Sequence, residues 1–347
     1  MRVEAFTYGM RWSEIQAAAR RAEQAGFERL GVPEITGDPF LSVGVAALAT
    51  ERIALTTAIA VAFPRSPMVT AQTAWSLQVN SGGRFTLGLG TQVKAHNERR
   101  FSTPWGKPAA RMKEYVESLR AIWRTWEKRE PLRYEGEHYR FSLMTPEFSP
   151  DPSGLARVPV YVAAVRPTMI ETVASYADGI RLHGFCTRRY LDEIALPRMH
   201  AGLERAGRDR STFEVCGGGF VATGPNADAV RNLREMVRYR VAFYGSTPSY
   251  HPVLELHGWG ELAQKLHACS RSGRWGDMPG LVTDEVLDEF VVSATYDRLG
   301  EAVEKRFGGK TDSVELMLPP EIDPALAGAL ADLRAVASPF TAQPAGW

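Results

Sequence analysis

The chain has 347 residues, 44% of them hydrophobic and 23% charged, a composition that buries a large core and excludes a disordered chain. Its net charge of +1 gives no electrostatic footprint for nucleic acid or an anionic membrane as main partner. Cys186, Cys216 and Cys269 lie far apart with no CxxC pair, so buried free thiols are expected rather than disulfides or zinc, and the polar start MRVEAFTYGM with no membrane-length apolar run reads as cytoplasmic.

In chain order, VEAFTY reads as a strand, Ser13 and Gln16 have capping-box spacing, and a helix through Ala17 to Ala25 stops at Gly26. FERLGV starts a second strand, and the alanine-rich residues 39–50 read as a packed helix. IALTTAIAV is almost continuously apolar, as a strand covered on both faces must be. A third helix ends at Ser81-Gly82-Gly83, RFTLGLG is the fourth strand, and Met112, Tyr115, Val116, Leu119, Trp123 and Trp126 form one apolar helical face. LRYEGEHYRF, within an insertion at about 129–157, resembles a hairpin. Alternation resumes with VPVYVAAV, a helix from about Thr168, DGIRLHGF, a helix after Thr187, FEVCGGGFVA and a helix over 227–243. A second irregular insertion, at about 244–292, precedes a helix, the strand SVELML and a last helix. Eight strands, each followed by a helix, predict one (β/α)8 barrel domain over residues 1–337, with a loose tail at 338–347 and the active site at the C-terminal strand ends.

In that topology Gly90-Thr91-Gln92-Val93, inside GGRFTLGLGTQVKAHNERRF, sits on the rim after strand four. Small residues let backbone approach a ligand, and free N–H groups at such a turn hold an anion; the alternative is a tight turn into a solvated basic helix. GLGTQV lacks the third glycine of a dinucleotide fingerprint and lies far from the first strand-helix unit.

The stretch SGGRFTLGLGTQVKAHNERRFSTPWGKPAARMKEYVESLRAIW, with EITGDPF, AIAVAFPRSPM and RLHGFCTRRYL, resembles the luciferase-like monooxygenase superfamily, in its branch of coenzyme F420-dependent oxidoreductases. The resemblance covers nearly the whole chain and implies a TIM barrel of the luciferase-like type. It implies a non-prolyl cis peptide under the cofactor ring around Ala60-Val61, and contacts to the ribityl chain and phosphate from Gly90, Thr91, Gln92 and Val93, with His96 or Asn97 beyond them. At the strand-five end, near Ala164, it puts Arg166 where the family often has glycine beside the phosphate; the guanidinium either adds a fork to that phosphate or fills its site. Related dehydrogenases carry an Asp-His pair after strand two, where this chain has Glu34-Ile35, so a His mechanism is excluded there. Glu34 either handles the proton or caps the loop ending at Asp38-Pro39.

His183, at the end of strand six, is the best histidine for proton transfer, and Tyr8, Tyr250 and His251 are candidates for the substrate pocket. The resemblance further implies a homodimer and hydride transfer between coenzyme F420 and a small-molecule or modified-peptide substrate, at an activated C=C or C=O group. Arg99, Arg100 and Arg111 are cations available to the acidic tail of that coenzyme. Two alternatives stay open: an FMN-dependent two-component monooxygenase, and a barrel that has lost catalysis and only binds or scaffolds.

Overall fold

The computed structural model describes residues 1–8 and 11–343. Its centre is a closed barrel of eight parallel strands: β1 (Arg2–Phe6), β2 (Arg29–Val32), β3 (Ala54–Thr57), β4 (Phe85–Gly90), β5 (Val160–Ala164), β6 (Gly179–Leu182), β7 (Glu214–Gly217) and β8 (Ser313–Met317). Each pairs with its sequence neighbours, and β8 closes on β1 in the register Glu4↔Glu315. The expected (β/α)8 barrel is therefore present.

The first helix, α1 (Trp12–Ala25), begins earlier than its sequence suggests: the Glu14 carboxylate reaches back to the Arg11 N–H, so Ser13 and Gln16 are not its cap. Gly26 ends it at φ +89°, as expected. Helices α2 (Pro39–Ala49) and α3 (Pro67–Asn80) follow, capped by Asp38 and Ser66. After the one-turn α4 (Lys94–Arg99), α5 (Pro108–Lys128) buries the predicted face through Trp123 and Trp126.

Three further expectations are corrected. FEVCGGGFVA is two strands, because the chain turns at Gly217 and Gly218, both at positive φ, and Phe220–Gly224 leaves the barrel to pair in parallel with Val291–Thr295. The stretch 244–292 is largely helical, with Gly260–Arg271 and Asp284–Phe290 packed over their buried apolar faces. The tail is pinned through Gln343: Phe340 N–H and Ser338 Oγ donate to Asp312 at 2.9 Å, and Gln343 Nε2 donates to Tyr161 Oη at 3.0 Å, across the N-terminal end of the barrel. Its last four positions lie outside the described residues. No helix among the described residues is long and apolar enough to cross a membrane.

Candidate active site

The interior of the barrel is charged. Glu4, Arg29, Arg181, Glu214 and Glu315 point inward from five strands and are joined in one network. At its base Glu214 takes both guanidinium nitrogens of Arg29 at 2.9–3.0 Å and Arg2 at 2.8 Å. Burial would raise the Glu214 carboxyl, and Arg29 and Arg2 outweigh it, holding the group at about 2. One layer up, Arg181 holds Glu4 at 2.6 and 2.8 Å and Glu315 at 3.0 Å. Gly31 and Gly88 make room: a Cβ on Gly31 would lie 2.4 Å from Glu4 Oε1, and one on Gly88 1.9 Å from the Thr57 carbonyl.

Above this network the inward positions Phe6, Tyr8, Ala163, His183 and Met317 are partly exposed, which marks the open C-terminal mouth. A cavity of about 240 Å³ lies there between Thr7, Tyr8, Val32, Pro33 and Ser42. Tyr8 lines it, with the Arg240 guanidinium 5.1 Å over its ring.

The non-prolyl cis peptide is at Ala58–Ile59. That is two residues before the expected Ala60-Val61, which instead form a short buried strand paired with Leu89 and Gly90. Where the ladder breaks, Thr57 Oγ1 donates to the Gly88 carbonyl at 2.7 Å and accepts its N–H at 2.9 Å. Both Glu34 oxygens are engaged: one accepts Val61 N–H and Arg65 Nη1, each at 2.7 Å, the other Arg65 Nη2 at 3.1 Å. Arg65 also reaches Asp38 at 2.9 Å. Its burial would lower the guanidinium, but Glu34 and Asp38 outweigh that and raise it. Glu34 thus ties the second and third mouth loops together, the loop-holding alternative rather than the proton carrier.

After β4, Gln92 adopts φ +57° and its own side chain takes the Val93 N–H at 2.9 Å, which removes one of the expected anion donors. The fully buried Asn97 fixes the loop by donating to the Thr91 and Val93 carbonyls at 2.8 and 3.1 Å, while its Oδ1 has no partner among the described residues. His96 points to solvent. Arg100 bonds the Ile35 carbonyl at 3.1 Å, and Arg111 is committed to Tyr139 and the Pro104 carbonyl, so Arg111 is no free tail cation. Ala164 is buried at the end of β5, and Arg166, just beyond it, is exposed on the rim together with Lys94 and Arg99.

His183 Nδ1 accepts the Phe185 N–H at 2.8 Å, which leaves the proton of a neutral ring on Nε2. Burial pulls its conjugate acid down to about 4, and the Arg240 charge adds to the effect. The Tyr244 and Tyr250 rings pack on it at 4.2 and 5.0 Å, so the second insertion covers the mouth beside β6. His251 does not join them; it turns into the insertion, 6.0 Å from His267. Sequence reading missed Glu315, whose carboxyl is raised to about 7 by burial, with Arg181 lowering it and Glu4 raising it.

The residues present fit a flat cofactor with an anionic tail. The small residues Gly90 and Ala163 leave room among Phe6, Tyr8, His183 and Met317 at the mouth, exposed cations stand along its rim, and no group of His, Cys, Asp or Glu among the described residues forms a metal site. A model of the luciferase-like monooxygenase family matches residues 2–310. An uncharacterised protein of Mycobacterium tuberculosis is 45% identical over 297 residues, covering 86% of this chain and 87% of that protein. The 5,10-methylenetetrahydromethanopterin reductase of Archaeoglobus fulgidus is 29% identical over 307 residues, with 86% and 87% covered. Among solved structures, the coenzyme F420-dependent tetrahydromethanopterin reductase from Methanopyrus kandleri has the same fold, with a TM-score of 0.77 at 21% identity over 96% of this chain and 98% of that one.

Proposed function

The chain belongs to the luciferase-like monooxygenase family, and from that membership we propose that it is a coenzyme F420-dependent oxidoreductase, acting on an activated C=C or C=O group of a small organic molecule. The observation that carries the reading is the near end-to-end match to a reductase relative, 86% of this chain and 87% of that one. The F420 dependence of the reductase that shares the fold supports the choice of cofactor.

Bound in the mouth, the deazaflavin supplies or accepts a hydride at a ring carbon. The chain does the rest. Ala58 and Ile59 form one wall, and Gly90 to Val93, held by Asn97, form the edge toward the rim cations Lys94, Arg99 and Arg166. The exposed Arg166 guanidinium is free to meet a phosphate rather than fill its place. His183 Nε2–H offers a neutral donor that orients an acceptor oxygen, and Tyr244 and Tyr250 exclude water beside it.

Anaerobic mixing with reduced F420 and a panel of activated alkenes and carbonyls tests this. Substrate-dependent reoxidation is expected, with no oxygen uptake when air is admitted. Oxygen consumption sustained by reduced FMN, with F420 inert, would establish the monooxygenase instead.

A further inference from the structure

Resting on that reading and deepening it, we propose that Glu315, on the floor of the barrel mouth, exchanges the proton that accompanies hydride transfer, with Arg181 as the counter-ion that receives the resulting carboxylate. Both residues belong to the charged barrel interior, one from β8 and one from β6.

Glu315 faces inward, because its Oε1 meets Arg181 from β6 across the barrel at 3.0 Å. Inside a closed barrel such a side chain should be sealed, as Glu214 at 0% and Glu4 at 1% side-chain exposure are. Glu315 is 24% exposed. The opening is upward, toward the mouth, since Arg29, Glu214 and Tyr161 fill the barrel below. Beside it Gly217, at φ +74°, carries no side chain; a Cβ there would stand 3.4 Å from Glu315 Oε1. The other oxygen, Oε2, has no hydrogen-bond partner among the described residues.

The charge balance points the same way. Glu214 has Arg29 and Arg2, and Glu4 has Arg181 and Arg29, whereas Glu315 has only a share of Arg181. The charged and titratable groups that face it are Arg181 from β6, Glu4 from β1, Arg29 from β2 and, beyond them, the Cys216 thiol of β7, which burial holds in its neutral form. Among the three inward carboxylates the ionised form of Glu315 has the least support, so it is the one that carries a proton near neutrality. Of the other mouth candidates, both Glu34 oxygens hold Arg65, and His183, its Nδ1 occupied by a backbone N–H, is a neutral ring whose Nε2–H orients an oxygen as a hydrogen-bond donor.

The step balances. As hydride from the reduced deazaflavin bonds to the acceptor carbon, the π pair of the C=C or C=O group moves to the neighbouring atom, which takes the proton from Glu315 Oε2–H. The substrate gains two electrons, the cofactor loses two, and the carboxylate left beside Arg181 regains a proton from water through the mouth. In the oxidative direction the same carboxylate accepts the proton.

The test begins on cofactor-free protein with ¹³C-labelled glutamate side chains. Carboxyl NMR is expected to show one glutamate titrating near pH 7, missing from Glu315→Gln. With reduced F420 and the best acceptor from the panel, Glu315→Gln is expected to keep wild-type quenching of F420 fluorescence. It should lose on the order of 100-fold in kcat together with the alkaline limb of the pH profile, part of which Glu315→Asp restores. A wild-type protein that leaves F420 unquenched contradicts the cofactor reading. A Glu315 carboxyl titrating in the ordinary range, or an unchanged pH profile in a Glu315→Gln enzyme that binds F420, overturns the assignment of Glu315.

Discussion

Glu34, after β2, and His183, at the end of β6, lie on opposite sides of the barrel mouth and are held in opposite ways. Glu34 is clamped by Arg65, so its loss should act through loop geometry: Glu34→Gln is expected to weaken cofactor binding about tenfold while leaving the pH dependence of kcat unmoved. A shifted pH profile would restore it as a proton carrier. His183 is neutral in the folded chain, at about 4 against an ordinary 6.5. Between those values the unfolded chain binds the extra proton, so this group's contribution to stability is complete above pH 6.5 and is lost as pH falls toward 4. Urea midpoints of His183→Gln should accordingly fall less steeply than those of wild type over that window. The sequence showed the departure at Glu34 but not its partner, since Arg65 comes 31 residues later and is joined only by the fold. Glu315 left a signal that pattern reading passed over. VEAF, FERL, GIRLH, FEVC and SVELM each place a charge inside an otherwise buried strand, where a lone charge is untenable and five together imply an interior network.

Among the elements, the loop after β4 shows what spacing can and cannot give. Its place on the rim was legible from the glycine-broken strand and the polar run after it. That the buried Asn97 holds it, with His96 outside, depends on which side of a one-turn helix faces the barrel, and two polar neighbours cannot decide that in sequence. Asn97→Ala leaves the Thr91 carbonyl unpaired, while that of Val93 keeps the backbone N–H groups of His96 and Asn97; a loss of about 1–3 kcal/mol in stability, read by urea unfolding, and weaker F420 binding are expected together. The cis peptide lies two residues before its expected place because TTAIAV is an unbroken run of residues that suit a strand, with no Gly or Pro to mark the break. The second insertion looked irregular since its Gly, Trp, His and Pro residues punctuate short helices, whose apolar faces meet only in three dimensions.

For the whole molecule, the count of strands and helices sufficed for the barrel, because each buried strand was bounded by clear helix starts and stops. Residues 338–343 are anchored although nothing in SPFTAQ marks them, because their partners, Asp312 and Tyr161, belong to the end of the barrel opposite the active site. The outer surface carries a further expectation. Neither α2 nor α3 contains a charged residue, although Leu48 is 83% and Leu41 60% exposed on one and Val69 52% on the other. Such a face fits a second copy, so sedimentation should show a homodimer that Leu48→Arg reduces to monomer. The central claim is that this barrel's mouth is built for a deazaflavin. It is tested most directly by titrating the purified protein in parallel with oxidised coenzyme F420 and with FMN, following the quenching of each fluorescence. Saturable binding of F420 at least tenfold tighter than that of FMN is the result the account predicts; tighter binding of FMN, or no binding of either by folded protein, would contradict it.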